Sequence, residues 1–396
     1  MPTPEGRPSS LSRFFALDLL DNRYPALHGL RFFAIISVVQ FHVTSVLIDK
    51  KVTVPGPLAQ ASINTFFGMD LFFVLSGFLI GSILIHSMKG SGVQGIKRFY
   101  LRRIFRTFPS YWIVLTVVSL IGPLSRMQRH NLWLEYTYLT NFAPLWPGEI
   151  VMVWGWSLAL EEQFYLTVPL LFMMLYRLRT DRGRITFLLV LAATALVLRL
   201  VVYFAYGPWH YLLYRGAVYF RTATRFDTLI VGILIAYVHN RFGKELDAWM
   251  AKPRNRGLVT VGVLACLWPL LNPAMFGVEA YVLVHAFLWG TVTSAMYFGL
   301  VLLLLHAPAG SISRFFSRPI FRRLATLGYG VYLVHIPVAE HLVVPAAEGM
   351  RAHGVPLEIV WTFALVALMT VSLLVAYGLH LLVEKPSLWA RDRVAG

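Results

Sequence analysis

Cysteine is almost missing from this chain of 396 residues. Cys266 is the only one, which excludes both a disulfide framework and a cysteine-based metal site. Charge is scarce too. Charged residues make up 14% of the sequence against 57% hydrophobic ones, with a mean hydropathy of +0.64, whereas soluble domains run near about 25% charged. A soluble globular protein is therefore excluded, and the chain reads as polytopic in a membrane. Acid is scarcer than base, with 19 Asp and Glu against 35 Lys and Arg. The net charge of +16 could suit nucleic acid, but its placement along the chain points elsewhere. The first 25 residues hold no apolar core ahead of a small-residue cleavage site, so no cleavable signal peptide is expected. No Gly-rich nucleotide loop, HExxH-type spacing, internal repeat or low-complexity tract is present, and no metal is predicted.

What fills the chain is a series of apolar runs near lipid-spanning length. They fall at about 27–48, 63–87, 109–125, 154–176, 185–206, 226–240, 257–272, 284–306, 324–346 and 358–383. Turn signals separate them, among them Val54-Pro-Gly-Pro57, Trp146-Pro-Gly148 and Gly207-Pro208. With the N-terminus inside, the inner connections and tails carry 25 of the 35 Lys and Arg residues and the outer loops 8, Arg31 and Arg199 lying within spans. That asymmetry is a strong positive-inside signal. It predicts an all-α polytopic helical bundle of about ten transmembrane helices with both termini cytoplasmic. It also accounts for the net charge through the lipid bilayer, so no nucleic-acid partner is expected. The expected organisation is a cytoplasmic tail at 1–26, a transmembrane domain at 27–386 and a cytoplasmic tail at 387–396.

Polar groups stand inside several of these runs, where lipid makes them costly unless they line a polar cavity. The first reads Arg31-Phe-Phe-Ala-Ile-Ile-Ser-Val-Val-Gln-Phe-His42. Eleven helical steps return to within about 20° of the same face, with a rise of roughly 16 Å. A boundary arginine and a satisfied buried histidine is the bland reading of the same pair. The second run holds Asp70 in Gly-Met-Asp-Leu-Phe-Phe-Val-Leu-Ser76-Gly, the fourth holds adjacent Glu161 and Glu162, and the ninth holds Tyr332 and His335. Counted from the cytoplasmic ends of their helices, His42, Asp70 and Glu162 lie at roughly 22, 24 and 21 Å. One base and two acids at a common level predict a shared cavity. Adjacent glutamates project about 100° apart, so only one of the two is expected to face it.

The stretch after the second run reads Lys97-Arg-Phe-Tyr-Leu-Arg102-Arg103-Ile-Phe-Arg106-Thr-Phe-Pro109-Ser-Tyr-Trp112. Basic residues interleaved with aromatics at helical spacing predict an amphipathic helix at the membrane surface. It either pins the loop to anionic lipid or grips phosphate through Arg103 and Arg106, which share a face.

Together these stretches resemble the integral-membrane acyltransferase-3 family, which O-acylates sugars, lipids and some natural products from acyl-CoA. The resemblance rests on Leu27-His-Gly-Leu-Arg31 with His42, residues 68–80, 98–112, 156–166 and 329–337, Arg225-Phe-Asp227 with Gly232, and Glu384-Lys-Pro386. These pieces run in order over nearly the whole chain. At one position the chain departs: the family usually has aspartate before the glycine of the first motif, and here it is His28. With ten residues after Pro386, no fused extracytoplasmic hydrolase-like domain of the kind some members carry is expected.

The resemblance implies a multi-pass protein of the plasma (inner) membrane that transfers an acyl group, most commonly acetyl, from acyl-CoA as co-substrate, with no bound cofactor. The acceptor would be a hydroxyl of a glycan, lipid-linked sugar or natural product. Arg31, Arg103 and Arg106 would hold the phosphates of acyl-CoA, whose pantetheine arm could thread upward to His42. His42 is then expected to act as general base, with a covalent acyl-histidine as the alternative. Asp70, Glu161 or Glu162 would orient it. Arg225, Asp227, Tyr332 and His335 are expected to touch the acceptor or to be structural. Ser76 is expected to pack beside Gly77 rather than act as nucleophile, and Glu384 to be structural. The competing reading is a proton-coupled secondary transporter of a small polar solute, since buried His, Asp and Glu at mid-depth serve proton relays as well.

Overall fold

The computed structural model describes residues 15, 17, 23–52, 56–87, 92–142, 148–206, 215–272 and 289–395. Most of the expected N-terminal tail, the start of the eighth apolar run at 284–288, and the turn signals at or beside 53–55, 143–147 and 207–214 lie outside the described residues.

The described residues form helices and no strand. The principal ones are α1 (Pro25–Asp49), α2 (Gly68–Ser87), α3 (Gly92–Ile121), α4 (Arg126–Tyr136), α5 (Trp156–Arg177), α6 (Asp181–Tyr206), α7 (Asp227–Met250), α8 (Pro253–Leu271), α9 (Trp289–His306), α10 (Gly328–Val338) and α11 (Leu357–Leu379). Eight of the described helices are long and apolar enough to cross a membrane. The protein is an all-α polytopic membrane bundle. α7 and α8 fall at the sixth and seventh expected spans and are not among those eight. α7 runs past a kink at Phe242, with φ −122° and ψ 23°, and its second part carries the polar residues that follow the apolar run.

α2 is the centre of the bundle. In its span 78% of the residues in the most apolar window are buried, against 17% in the α6 span. A helix apolar on every face has no solvent side to offer, and α2 packs against α1, α7 and α9. The tightest crossing is with α7, where Gly77 faces Gly232. A Cβ on Gly77 would strike the Leu229 carbonyl, and one on Gly232 the Val74 carbonyl. Glycine at both positions lets the two backbones meet, as small residues do in membrane helix pairs. Ser76, expected to pack beside Gly77, instead turns to the Tyr165 hydroxyl, 2.7 Å away.

The basic stretch is not a separate surface helix. α3 is one helix of 30 residues that carries Arg98 to Arg106 straight into the apolar part, through Pro109. Proline inside a helix deprives the carbonyl four residues earlier of its donor. That carbonyl belongs to Phe105, and the Ser387 hydroxyl donates to it. The helix therefore continues from the basic stretch into the third apolar run. The same device recurs in α10, where Pro337 frees the Leu333 carbonyl and the Trp154 indole donates to it at 3.2 Å.

Candidate active site

α1 and α10 bring His42 and His335 together. His42 Nδ1 and His335 Nε2 lie 3.0 Å apart, with ring centroids 4.9 Å apart. His335 is fully buried, and its Nδ1 lies 2.7 Å from the Tyr332 carbonyl. A carbonyl only accepts, so Nδ1 carries the proton. In the neutral imidazole, the form that leaves no charge buried, Nε2 is then an acceptor. His42 must donate to it from Nδ1, which leaves the lone pair of His42 on Nε2. Two bonds thus fix the tautomer of a histidine 293 residues away in sequence. This is the arrangement an orienting group imposes on a catalytic imidazole.

The surroundings of His335 are equally determined. The Trp154 ring stands 6.4 Å from it and is held by the carbonyl that Pro337 frees. The Tyr332 hydroxyl donates to the Trp154 carbonyl at 2.7 Å, so the Ser157 hydroxyl, 2.6 Å away, donates to Tyr332. The segment before α5 is anchored by Glu135 of α4, whose carboxylate accepts from the backbone N–H of Val151 and of Met152, both at 2.8 Å. Burial pushes the Glu135 carboxyl above its ordinary range, and the two amides offset part of that rise.

A cavity of about 130 Å³ collects the cationic residues expected to hold the donor. Arg31 from α1, Arg103 and Arg106 from α3, and Glu161 and Glu162 from α5 line it, with Ser76, Thr107, Tyr165 and Tyr332. The shared face of Arg103 and Arg106 is therefore realised. Both glutamates reach the cavity, although only one was expected to. Tyr165 donates to Glu161 at 3.3 Å, and Ser76 Oγ lies 2.7 Å from the Tyr165 hydroxyl. The Arg103 guanidinium stands 5.6 Å from the Tyr165 ring centre, within cation–π range. Tyr332 joins this cavity to the histidine pair, since it lines the one and its ring lies 5.5 Å from His335.

Asp70 is elsewhere. Its carboxylate takes a 2.7 Å ion pair from Arg225 and a 3.2 Å bond from the Trp289 indole. Asp227 pairs with Arg199 at 2.8 Å, and Arg199 also donates to the Thr224 carbonyl. The Arg225-Phe-Asp227 motif is thus a double clasp, tying the start of α7 to α2 through one residue and to α6 through the other. All four charged side chains are buried. Depth counted from helix ends carries no azimuth, and the azimuth turns Asp70 toward α7 and α9. Glu384 accepts a 2.8 Å bond from His380, four residues away on the same helical stretch. Trp154, Ser157, Tyr165 and Trp289 were not foreseen. The one available signal was Pro337, which announces a free carbonyl without saying what takes it. Among the described residues, no group of His, Cys, Asp and Glu could hold a metal ion.

Residues 24–381 match the model of a family described as an acyltransferase domain. The chain is 26% identical over 338 residues to O-acetyltransferase OatA of Staphylococcus aureus strain NCTC 8325, covering 79% of this chain and 50% of that protein. It is 25% identical over 335 residues to a putative O-acetyltransferase of Staphylococcus aureus strain COL, with the same coverage. The chain spans about half the length of the curated relatives it matches. No solved structure matches it. With the family match spanning both the histidine pair and the arginine-lined cavity, the chain belongs to the acyltransferase-3 family of integral membrane proteins.

Proposed function

We propose that this protein is a membrane O-acyltransferase of the plasma (inner) membrane. It moves an acyl group, acetyl by preference, from acyl-CoA to a hydroxyl of a glycan, glycolipid or glycosylated natural product. The observation that carries the reading is the His42–His335 bond, which leaves His42 Nε2 with the lone pair a general base needs. The acetyl preference is taken from the O-acetyltransferases the chain resembles.

The donor's phosphates rest on Arg31, Arg103 and Arg106. Arginine forks suit that task. The roughly 16 Å rise from Arg31 to His42 matches the length of a pantetheine arm, so the thioester reaches the histidine. His42 Nε2 takes the proton of the acceptor hydroxyl as its oxygen attacks the thioester carbonyl. The tetrahedral intermediate collapses, the C–S bond breaks, and the leaving thiolate takes the proton back from His42. The products are the ester and free CoA thiol, and His42 returns to its starting form. His335 is a positioning residue that holds the tautomer, the task first assigned to Asp70 or a glutamate. Glu161 holds Tyr165 in place, and both glutamates line the donor cavity beside the arginines.

Free thiol release separates this reading from a carrier. Membranes containing the protein, given acetyl-CoA and a hydroxyl-bearing glycan extract, should release CoA thiol only when both are present. Thiol release that is absent across several acyl-CoAs and acceptors, with solute uptake in its place, would favour the transporter.

A further inference from the structure

A second cavity, of about 330 Å³, meets the first at Arg31 and Leu79. Its walls come from the start of α1 and the end of α2, with Arg23, Tyr24, His28, Ser82 and His86 among them. His86 Nδ1 lies 2.6 Å from the Ser82 carbonyl and must donate to it, so in the neutral ring Nε2 accepts. Arg23 Nη2 is 3.4 Å from that nitrogen. The imidazole therefore holds the Arg23 guanidinium at the cavity wall, and the guanidinium stands 5.4 Å from the Tyr24 ring centre. Tyr24 is itself fixed, edge-on to Phe78 at 5.1 Å and to His239 at 5.7 Å. His28 is buried one turn before Arg31.

Two guanidiniums, the His28 imidazole and a serine hydroxyl thus converge on one space, a set of donors that suits a phosphate group, with His86 orienting one of the guanidiniums. His28 in this wall can donate to a phosphate. We infer that this cavity is a subsite for a phosphate monoester carried by the acyl donor, namely the 3′-phosphate of coenzyme A. The inference rests on the acyl-CoA reading above and adds a second anchoring point to it. Arg31, which lines both cavities, sits between the monoester and the rest of the donor.

The test is calorimetric titration of the purified full chain in detergent with CoA and with dephospho-CoA, which lacks only the 3′-phosphate. Wild type should bind CoA at least about tenfold tighter, the size expected of a charge-assisted contact. Arg23→Ala and, separately, His86→Ala should bring the ratio close to one while dephospho-CoA binding stays as in wild type, and Arg23→Lys should keep part of the preference. Equal binding of the two ligands by wild type, or a preference that survives both alanine substitutions, overturns the subsite alone. Binding of neither ligand overturns the donor reading and the subsite with it. An anionic lipid headgroup is the other source of a phosphate monoester at this end of the bundle. If added phosphatidic acid binds through Arg23 while the CoA preference does not depend on it, the donor subsite is overturned in favour of lipid.

Discussion

His335 Nε2 lies 3.0 Å from His42 Nδ1, and the other nitrogen of His335 is committed to the Tyr332 carbonyl. One main-chain carbonyl thereby decides which nitrogen of His42 holds a lone pair. A catalytic triad uses a carboxylate for the same purpose, and losing its orienting bond there costs far more than the bond itself. His335→Ala should accordingly lower kcat by about 10²-fold or more while leaving the KM for acetyl-CoA within a few-fold of wild type. His335→Gln, whose amide oxygen can still accept from His42 Nδ1, should recover part of the loss. Equal effects from both substitutions would mean that His335 contributes packing and not the tautomer.

The Asp70–Arg225 pair leads to a prediction about stability rather than chemistry. Both side chains are buried, with exposures of 0% and 3%. Removing one partner of such a pair leaves an uncompensated charge, at a cost of about 3–5 kcal/mol. Asp70→Ala should reduce the amount of folded protein and its thermal midpoint in detergent. A double-mutant cycle should show coupling between Asp70 and Arg225, and additivity between Asp70 and His42. Strong coupling of Asp70 to His42 in the acyl-transfer rate would return Asp70 to the catalytic role.

At the α2–α7 crossing the decisive feature is an absence of side chain. Gly232→Leu would drive carbon atoms into the Val74 carbonyl and the Phe78 amide. Overpacking a tight core costs about 1–3 kcal/mol, occasionally more, and here the obstructing atoms are backbone, which cannot rotate away. The variant should lose thermal stability measurably, and Gly232→Ala should lose less. A Gly232→Leu protein as stable as wild type would mean that the two helices do not cross at this point.

Much of this arrangement could be read in the sequence, and its limits have a physical cause. Hydropathy placed the helices because lipid length and apolar composition are local properties. The face shared by Arg103 and Arg106 was legible because helical phase is fixed within one element. His42 stood out in the sequence for the same reason, being in phase with Arg31. What could not be read was which helices face one another. That decides whether Asp70 meets His42 or Arg225, and it depends on contacts between residues 155 apart in sequence. Nor could it be read that the basic stretch and the third span form one helix, the carbonyl that Pro109 frees being taken by Ser387.

The Glu135 anchor should be visible as a pH effect. Burial raises this carboxyl above its unfolded value, so its contribution to stability is fully present below the unfolded pKa and is lost as pH rises through the folded one. Wild-type thermal stability should therefore fall with rising pH by an amount missing in Glu135→Gln. That variant should be less stable at low pH, because its amide nitrogen cannot accept the second of the Val151 and Met152 bonds. Parallel stability profiles for the two proteins would show that Glu135 does not titrate in the folded state.

The central claim is that His42 performs the chemistry, and it is tested most directly by acceptor-dependent CoA release in membranes matched for protein content. His42→Ala removes the base without touching the arginines that line the donor cavity. Release should fall by at least about 10²-fold, the contribution expected of a positioned general base, while CoA binding to the purified variant stays at the wild-type level. Equal release by wild type and His42→Ala would contradict the account, leaving His42 as a packing residue and placing the chemistry elsewhere in the bundle.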